Sequence, residues 1–218
     1  MNVTNLFSAF SGLSSVHRYS MDKLIQPESV LEHTAMVVFL ANLLAREVNN
    51  LDGETFDVNW ITLCALVHDL DELVIGDIPR PTKYRNERTV AIFKELGSWG
   101  IDNAVTGMEL SVEMGQEIHS AYARAKKGRD GLVVAMADCM CVCEKIWEEL
   151  LVRGNHAMVG HAVRVLDQLK TLRHSVHQEF GEVGKVTGYL VDIIDQCESK
   201  MDRAAMQNDP IYGNSMRT

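Results

Sequence analysis

A histidine-aspartate pair, His68-Asp69, closes the apolar run Ile61-Thr62-Leu63-Cys64-Ala65-Leu66-Val67, and no other feature narrows the choice of fold as much. His33 stands alone upstream and Asp138 downstream, each in a segment whose apolar spacing predicts a helix. A carboxylate amid the apolar residues around Asp138 needs a partner, because burying an unpaired charge is costly. The economical arrangement packs three helices so that His33, His68, Asp69 and Asp138 meet at one buried point. Imidazole nitrogens and carboxylate oxygens form a mixed, fairly hard ligand set that suits a divalent cation and leaves positions for water or substrate. The plain alternative is that each histidine is an ordinary hydrogen-bonded core residue.

The residues after the pair favour the metal. From Leu70 to Thr82 the chain reads Leu-Asp-Glu-Leu-Val-Ile-Gly-Asp-Ile-Pro-Arg-Pro-Thr. Glu72 lies one helical turn beyond Asp69 and shares its face. Gly76 can end that turn, and Pro79 and Pro81 are expected to stop any further helix, leaving Asp77 on a stiff loop. Such an acidic cluster in an apolar chain is explained by a cation or a reaction that uses it.

The chain resembles the HD-domain phosphohydrolases at this point, most nearly their 5'-deoxynucleotidase-like branch and the phage-type dNTP (dATP) triphosphohydrolases. The resemblance rests on His17-Arg18-Tyr19, Glu28 to His33, Val67 to Glu72, Gly76 to Pro79, Pro81-Thr82-Lys83 and Ala137-Asp138, and covers roughly residues 13–150. It implies an all-α HD-domain bundle in which His33, His68, Asp69 and Asp138 hold a divalent metal, whether Co, Mn, Zn, Fe or Mg. Glu72 and Asp77 would move protons or orient water. Arg18 would meet phosphate, Tyr19 would pack on deoxyribose where the branch usually has tryptophan, and Lys83 would pair with phosphate. The resemblance also implies a homo-oligomer. Arg80, Arg85 and Arg88 add cations that suit a longer phosphate tail, since guanidinium binds phosphate bidentately. The expected reaction is therefore cleavage of a dNTP to deoxynucleoside and triphosphate. The alternatives are a 5'-deoxynucleotidase acting on dNMP and a catalytically silent nucleotide sensor. A cyclic-nucleotide phosphodiesterase is disfavoured, because His119 is the only histidine between Asp69 and Asp138.

Composition excludes several other classes. The 218 residues support one substantial core without a linker, so a single domain over 1–218 is expected, with a helical extension over about 155–206. With 30 acidic and 21 basic residues the net charge is −9, which disfavours sequence-independent binding to nucleic acid. The five cysteines include no C-x-x-C pair and read as reduced, buried thiols. No signal-like start and no apolar run of about 18 residues is present, so a cytoplasmic protein without a membrane partner is expected.

Capping signals divide the chain into helices. Ser29-x-x-Glu32 is a capping box opening a helix that carries His33 and stops near Asn49-Asn50. Asn59 is expected to cap the helix ending at His68. Thr106-x-x-Glu109 reads as a second capping box, for a helix running to Lys127, and Asp130 as the cap of the helix containing Asp138. Two more helices are expected near 156–179 and 185–206.

Overall fold

The computed structural model describes residues 3–53 and 55–208, and among them the protein is entirely helical apart from one isolated bridge between His17 and Ser29. Helix α1 (Val3–Gly12) runs through a short turn of 3-10 helix into an extended stretch. Residues 17–29 form a loop closed at its neck by Val30 N–H to Val16 O, 2.8 Å, and Arg18 N–H to Glu28 O, 2.9 Å. Helix α2 (Val30–Asp52) follows at once, opened by the expected capping box, with Ser29 and Glu32 satisfying each other's backbone N–H groups. Asn49 brackets the next turn by accepting from Thr55 N and Phe56 N. Helix α3 (Val58–Val67) then returns alongside α2, with Asn42 donating to Thr62 at 2.9 Å.

After His68 the chain forms two short turns, α4 (Glu72–Ile75) and α5 (Arg80–Lys83). Long helices follow: α6 (Glu87–Gly107), α7 (Val112–Arg124), α8 (Gly128–Trp147), α9 (Val159–Phe180) and α10 (Lys185–Asn208). Between α8 and α9 the chain widens into a π turn, Glu148–Val152. One apolar cluster joins α2 (Val37, Ala41, Leu44), α3 (Ile61, Ala65), α8 (Val133, Val134, Ile146), α9 (Val165, Leu169) and α10 (Leu190, Ile194). Two glycines of α6 set its distance from the residues after the His-Asp pair. A Cβ at Gly100 would lie 3.1 Å from the Asp71 carbonyl, and one at Gly97 would lie 3.1 Å from the Asp71 carboxylate. The small residues let α6 buttress the turn that presents Asp69 and Glu72.

Several expected boundaries differ. Asp57 rather than Asn59 caps α3, because its carboxylate reaches both Asn59 N and Trp60 N. Thr106 does not open a helix: its hydroxyl donates back to Asp102 O at 2.7 Å inside α6. Glu109 takes a left-handed backbone, φ 51°, that breaks the chain, and Ser111 caps α7. Asp130 lies in the first turn of α8 and pairs with Arg124, 2.5 Å, while Lys127 occupies the cap position. Gly76 caps the end of α4, and Pro79 and Pro81 do not stop further helix: Pro81 sits at the start of α5, where its missing N–H is not needed. The segment with Arg85 and Arg88 is no mere loop, since Asn86 and Thr89 form the capping box of α6. All five cysteines are free thiols, four of them buried. No described helix is long and apolar enough to cross a membrane.

Candidate metal centre

Local structure explains how each ligand is presented. His33 sits in the first turn of α2, its N–H given to Ser29 O, so the capping box fixes its direction. His68 ends α3, Asp69 follows in the turn, and Asp138 comes from the middle of α8. His33 Nε2 lies 3.0 Å from Asp138 Oδ1 and 4.0 Å from Asp69 Oδ2, and His68 Nε2 lies 3.1 Å from Asp69 Oδ2. His33, His68 and Asp138 each offer a ligand atom within 4.8 Å of the others. His68 Nδ1 is 2.7 Å from the Ala65 carbonyl, which holds a proton there and leaves Nε2 with its lone pair facing the cluster.

The polar accounting supports a cation. His68 Nε2 and both ring nitrogens of His33 are buried without a well-directed hydrogen bond, despite the nearby carboxylates. Buried donors and acceptors are rarely left so. A divalent ion among them would satisfy these atoms together, and the donor set fits one. Without the ion, protons do part of this work. Burial alone would lower His68, yet Asp69 and Asp138 hold it up at about 9. Burial alone would raise Asp138, but His33 and Arg18 bring it down to about 2. Asp69 is likewise depressed against its burial by His68, Arg18 and His33. A cation at these atoms competes directly with those protons.

Beside the cluster, Arg18 spans Glu28 at 3.4 Å and Asp69 at 3.6 Å. Glu72 is buried at 4% exposure, receives Lys83 Nζ at 3.2 Å on Oε1, and leaves Oε2 without a partner. Burial, together with the neighbouring Asp69 and Asp77, pushes its carboxyl well above the usual range, against the pull of Lys83. Asp77 Oδ2 accepts the Tyr19 N–H at 3.0 Å. These groups open on a cavity of about 440 Å³.

The cavity contains most of the expected substrate-binding set: Arg18, Tyr19, Lys83 and Arg80 line it, together with Glu72, Asp77, Asp69 and Asp138. Arg85 and Arg88 do not line it, and Arg80 lies over the Tyr84 ring, 4.8 Å from its centre. One wall went unread in the sequence. His161, Arg164, Gln168 and Thr171 face the cavity from α9, at offsets of three, four and three residues, between the buried Ala162, Val165 and Leu169. That polar stripe beside an apolar one is the available signal. Val142 and Ile146, one and two turns after Asp138 on α8, add apolar lining, as does Val165 of α9.

Comparison with known proteins identifies the family. A model of the family described as 5'-deoxynucleotidase YfbR-like matches residues 5–183. The 5'-deoxynucleotidase VP0926 of Vibrio parahaemolyticus is 29% identical over 161 residues, covering 72% of this chain and 79% of that protein. The 5'-deoxynucleotidase plu3092 of Photorhabdus laumondii is 26% identical over 192 residues, covering 88% and 95%. An HD-domain phosphohydrolase from Listeria innocua shares the fold, with a TM-score of 0.69 at 22% identity, over 92% of this chain and all of that one.

Proposed function

Because this chain belongs to the YfbR-like 5'-deoxynucleotidase family of HD-domain phosphohydrolases, we propose that it hydrolyses 2'-deoxynucleoside 5'-monophosphates to deoxynucleoside and orthophosphate. One observation carries the reading: the unsatisfied ring nitrogens of His33 and His68 lie against Asp138 and Asp69, and those two carboxylates line the same cavity as Arg18 and the buried Glu72. The first four residues hold a divalent cation. When bound, such a cation supplies Lewis acidity and offsets phosphate charge.

The chain's own residues do the rest. Arg18, kept charged by the surrounding anions despite its burial, turns from Glu28 and Asp69 toward a phosphate oxygen. Water oxygen bonds to phosphorus as the bond from phosphorus to the 5'-oxygen breaks, and the leaving oxygen takes up a proton. Glu72 serves that proton transfer, since burial raises its carboxyl well above the usual range and so favours its taking up a proton. Lys83 holds Glu72 in place, and Asp77 holds Tyr19 over the sugar. The sequence expectation of a triphosphate substrate rested on Arg80, Arg85 and Arg88. Only Arg80 borders the cavity, and the relatives are named for deoxynucleotidase activity, so the monophosphate reading is the better supported.

Incubation with panels of dNMP, NMP and dNTP, with Mn, Co, Mg or Zn supplied, and chromatography of the products test this. Orthophosphate from dNMP is expected, with dNTP cleaved poorly. Deoxynucleoside plus intact triphosphate from dNTP, with dNMP untouched, overturns the proposal in favour of the triphosphohydrolase. Thermal stabilisation by nucleotide without any product would instead identify a sensor.

A further inference from the structure

Tyr19 is held in a costly shape. Its backbone is left-handed, φ 55°, a conformation that bulky residues seldom adopt and that persists only where surroundings enforce it. Two contacts fix the main chain: Tyr19 N–H donates to Asp77 at 3.0 Å, and Tyr19 O accepts from Asp22 N at 2.8 Å. A third fixes the ring. His161, in the first turn of α9, meets it edge to face at 5.3 Å between ring centres with the planes at 78°. His161 is in turn gripped through Nε2 by Asp22 Oδ2 at 3.1 Å. Asp22 thus closes the Tyr19 turn with its backbone and ties the turn to α9 with its side chain. All three residues line the cavity.

From this closed circuit, and resting on the deoxynucleotide reading above, we infer that His161 and Asp22 are positioning residues for sugar selection, holding the Tyr19 ring where it crowds a 2'-hydroxyl. A ring free to swing aside would admit that hydroxyl. A hydroxyl pressed against the ring without a partner is disfavoured by about 1–3 kcal/mol, so the held ring gives a deoxy-over-ribo preference of roughly five- to hundred-fold. The contribution of His161 lies in its ring contact with Tyr19 and its tether to Asp22.

The test is the ratio of kcat/KM on a dNMP to that on the matching NMP, measured on one preparation so that the folded fraction cancels. His161→Ala and Asp22→Asn are expected to bring the ratio down several-fold. His161→Phe, which keeps an aromatic edge, is expected to retain more of it than His161→Ala. In a Tyr19→Ala background neither His161→Ala nor Asp22→Asn should lower the ratio further. A ratio unchanged in His161→Ala, or equal rates on the two sugars in the unaltered protein, overturns the inference while dNMP hydrolysis still supports the proposed function. A readout without turnover stands beside it. In protein labelled with fluorotyrosine, the Tyr19 resonance, assigned through Tyr19→Phe, should shift in both His161→Ala and Asp22→Asn. A resonance indifferent to both changes overturns the inference even if no nucleotide is cleaved.

Discussion

At the scale of single residues, His68 and Glu72 show how burial sorts chemistry. The Ala65 carbonyl commits His68 to one tautomer, so its Nε2 is available as a ligand, and Asp69 Oδ2 stands 3.1 Å away as a second. Glu72, also buried, has a lysine on one oxygen and nothing on the other. The two positions should therefore fail differently. Asp69→Ala is expected to lose stoichiometric metal and activity together, because an anionic ligand is gone and Arg18 and His68 are left facing each other. Glu72→Gln is expected to keep its metal and lose roughly 10²-fold or more in kcat, the usual loss when a proton-transfer group is removed. Metal analysis of the purified variants beside their rates distinguishes the two, and a fully metallated, active Asp69→Ala would rule that ligand out.

At the scale of elements, the loop bearing Arg18 and Tyr19 is anchored by residues that do not themselves line the cavity. Glu149, in the π turn after α8, is wholly buried and accepts from Ile25 N at 2.8 Å, Gln26 N at 2.9 Å and Asn155 Nδ2 at 2.8 Å. Lys145 completes the knot, donating to Glu149 and to Gln26 O. The wider π turn supplies the extra residue that brings this carboxylate inward. Burial would raise its pKa, but these donors hold it at about 2, below the ordinary 4.5. A carboxyl depressed on folding contributes stability that is complete above the ordinary value and is lost as pH falls from about 4.5 toward 2. The shift corresponds to about 3 kcal/mol. Glu149→Gln is expected to cost a similar amount at neutral pH, since it leaves the buried Lys145 ammonium without its carboxylate. Between pH 2 and 4.5 the variant's melting temperature should fall less steeply than that of the unaltered protein, a comparison made by calorimetry across that range.

For the whole molecule, the cavity depends on a helix pair outside the segment that bears the ligands. Helix α9 turns its polar stripe to the cavity and its buried Ala162, Leu169 and Val176 inward, where α10 contributes Val186, Leu190, Ile194 and Met201 to the same core. Arg173 of α9 pairs with Asp195 and Glu198 of α10, and Lys200 of α10 with Glu144 of α8. Leu190 is fully buried and distant from the chemistry, so Leu190→Ala should cost about 2–5 kcal/mol through the cavity it leaves. For a chain of this size that lowers the melting temperature by roughly 5–15 °C. Specific activity below the transition should change little. An unaltered melting temperature would show that α10 packs too loosely to brace the α9 wall.

What could be read along the chain was whatever depends on near neighbours. Apolar spacing, the Ser29 and Glu32 box and the Gly76 stop are local, and the helical class, the start of α2 and the end of α4 followed from them. The convergence of His33, His68, Asp69 and Asp138 was legible for a related reason: histidines and aspartates set in apolar segments need polar partners wherever the helices run. Caps were less secure, because Asp57 and Asn59, or Thr106 and Ser111, offer similar side chains and only the path of the backbone chooses between them. The rest required distant segments to meet. The left-handed backbone of Tyr19 takes the distant Asp77 as well as the nearby Asp22 to hold it, and the His161 ring that stands against it comes from α9. The Asn86 and Thr89 cap beside Arg85 and Arg88 is local, but nothing near them shows that the cavity lies elsewhere and that α9 supplies its far wall. Helix propensity and capping are settled within a few residues, whereas the crossing of helices is settled by how their side chains pack, and that packing decided which polar groups share the cavity.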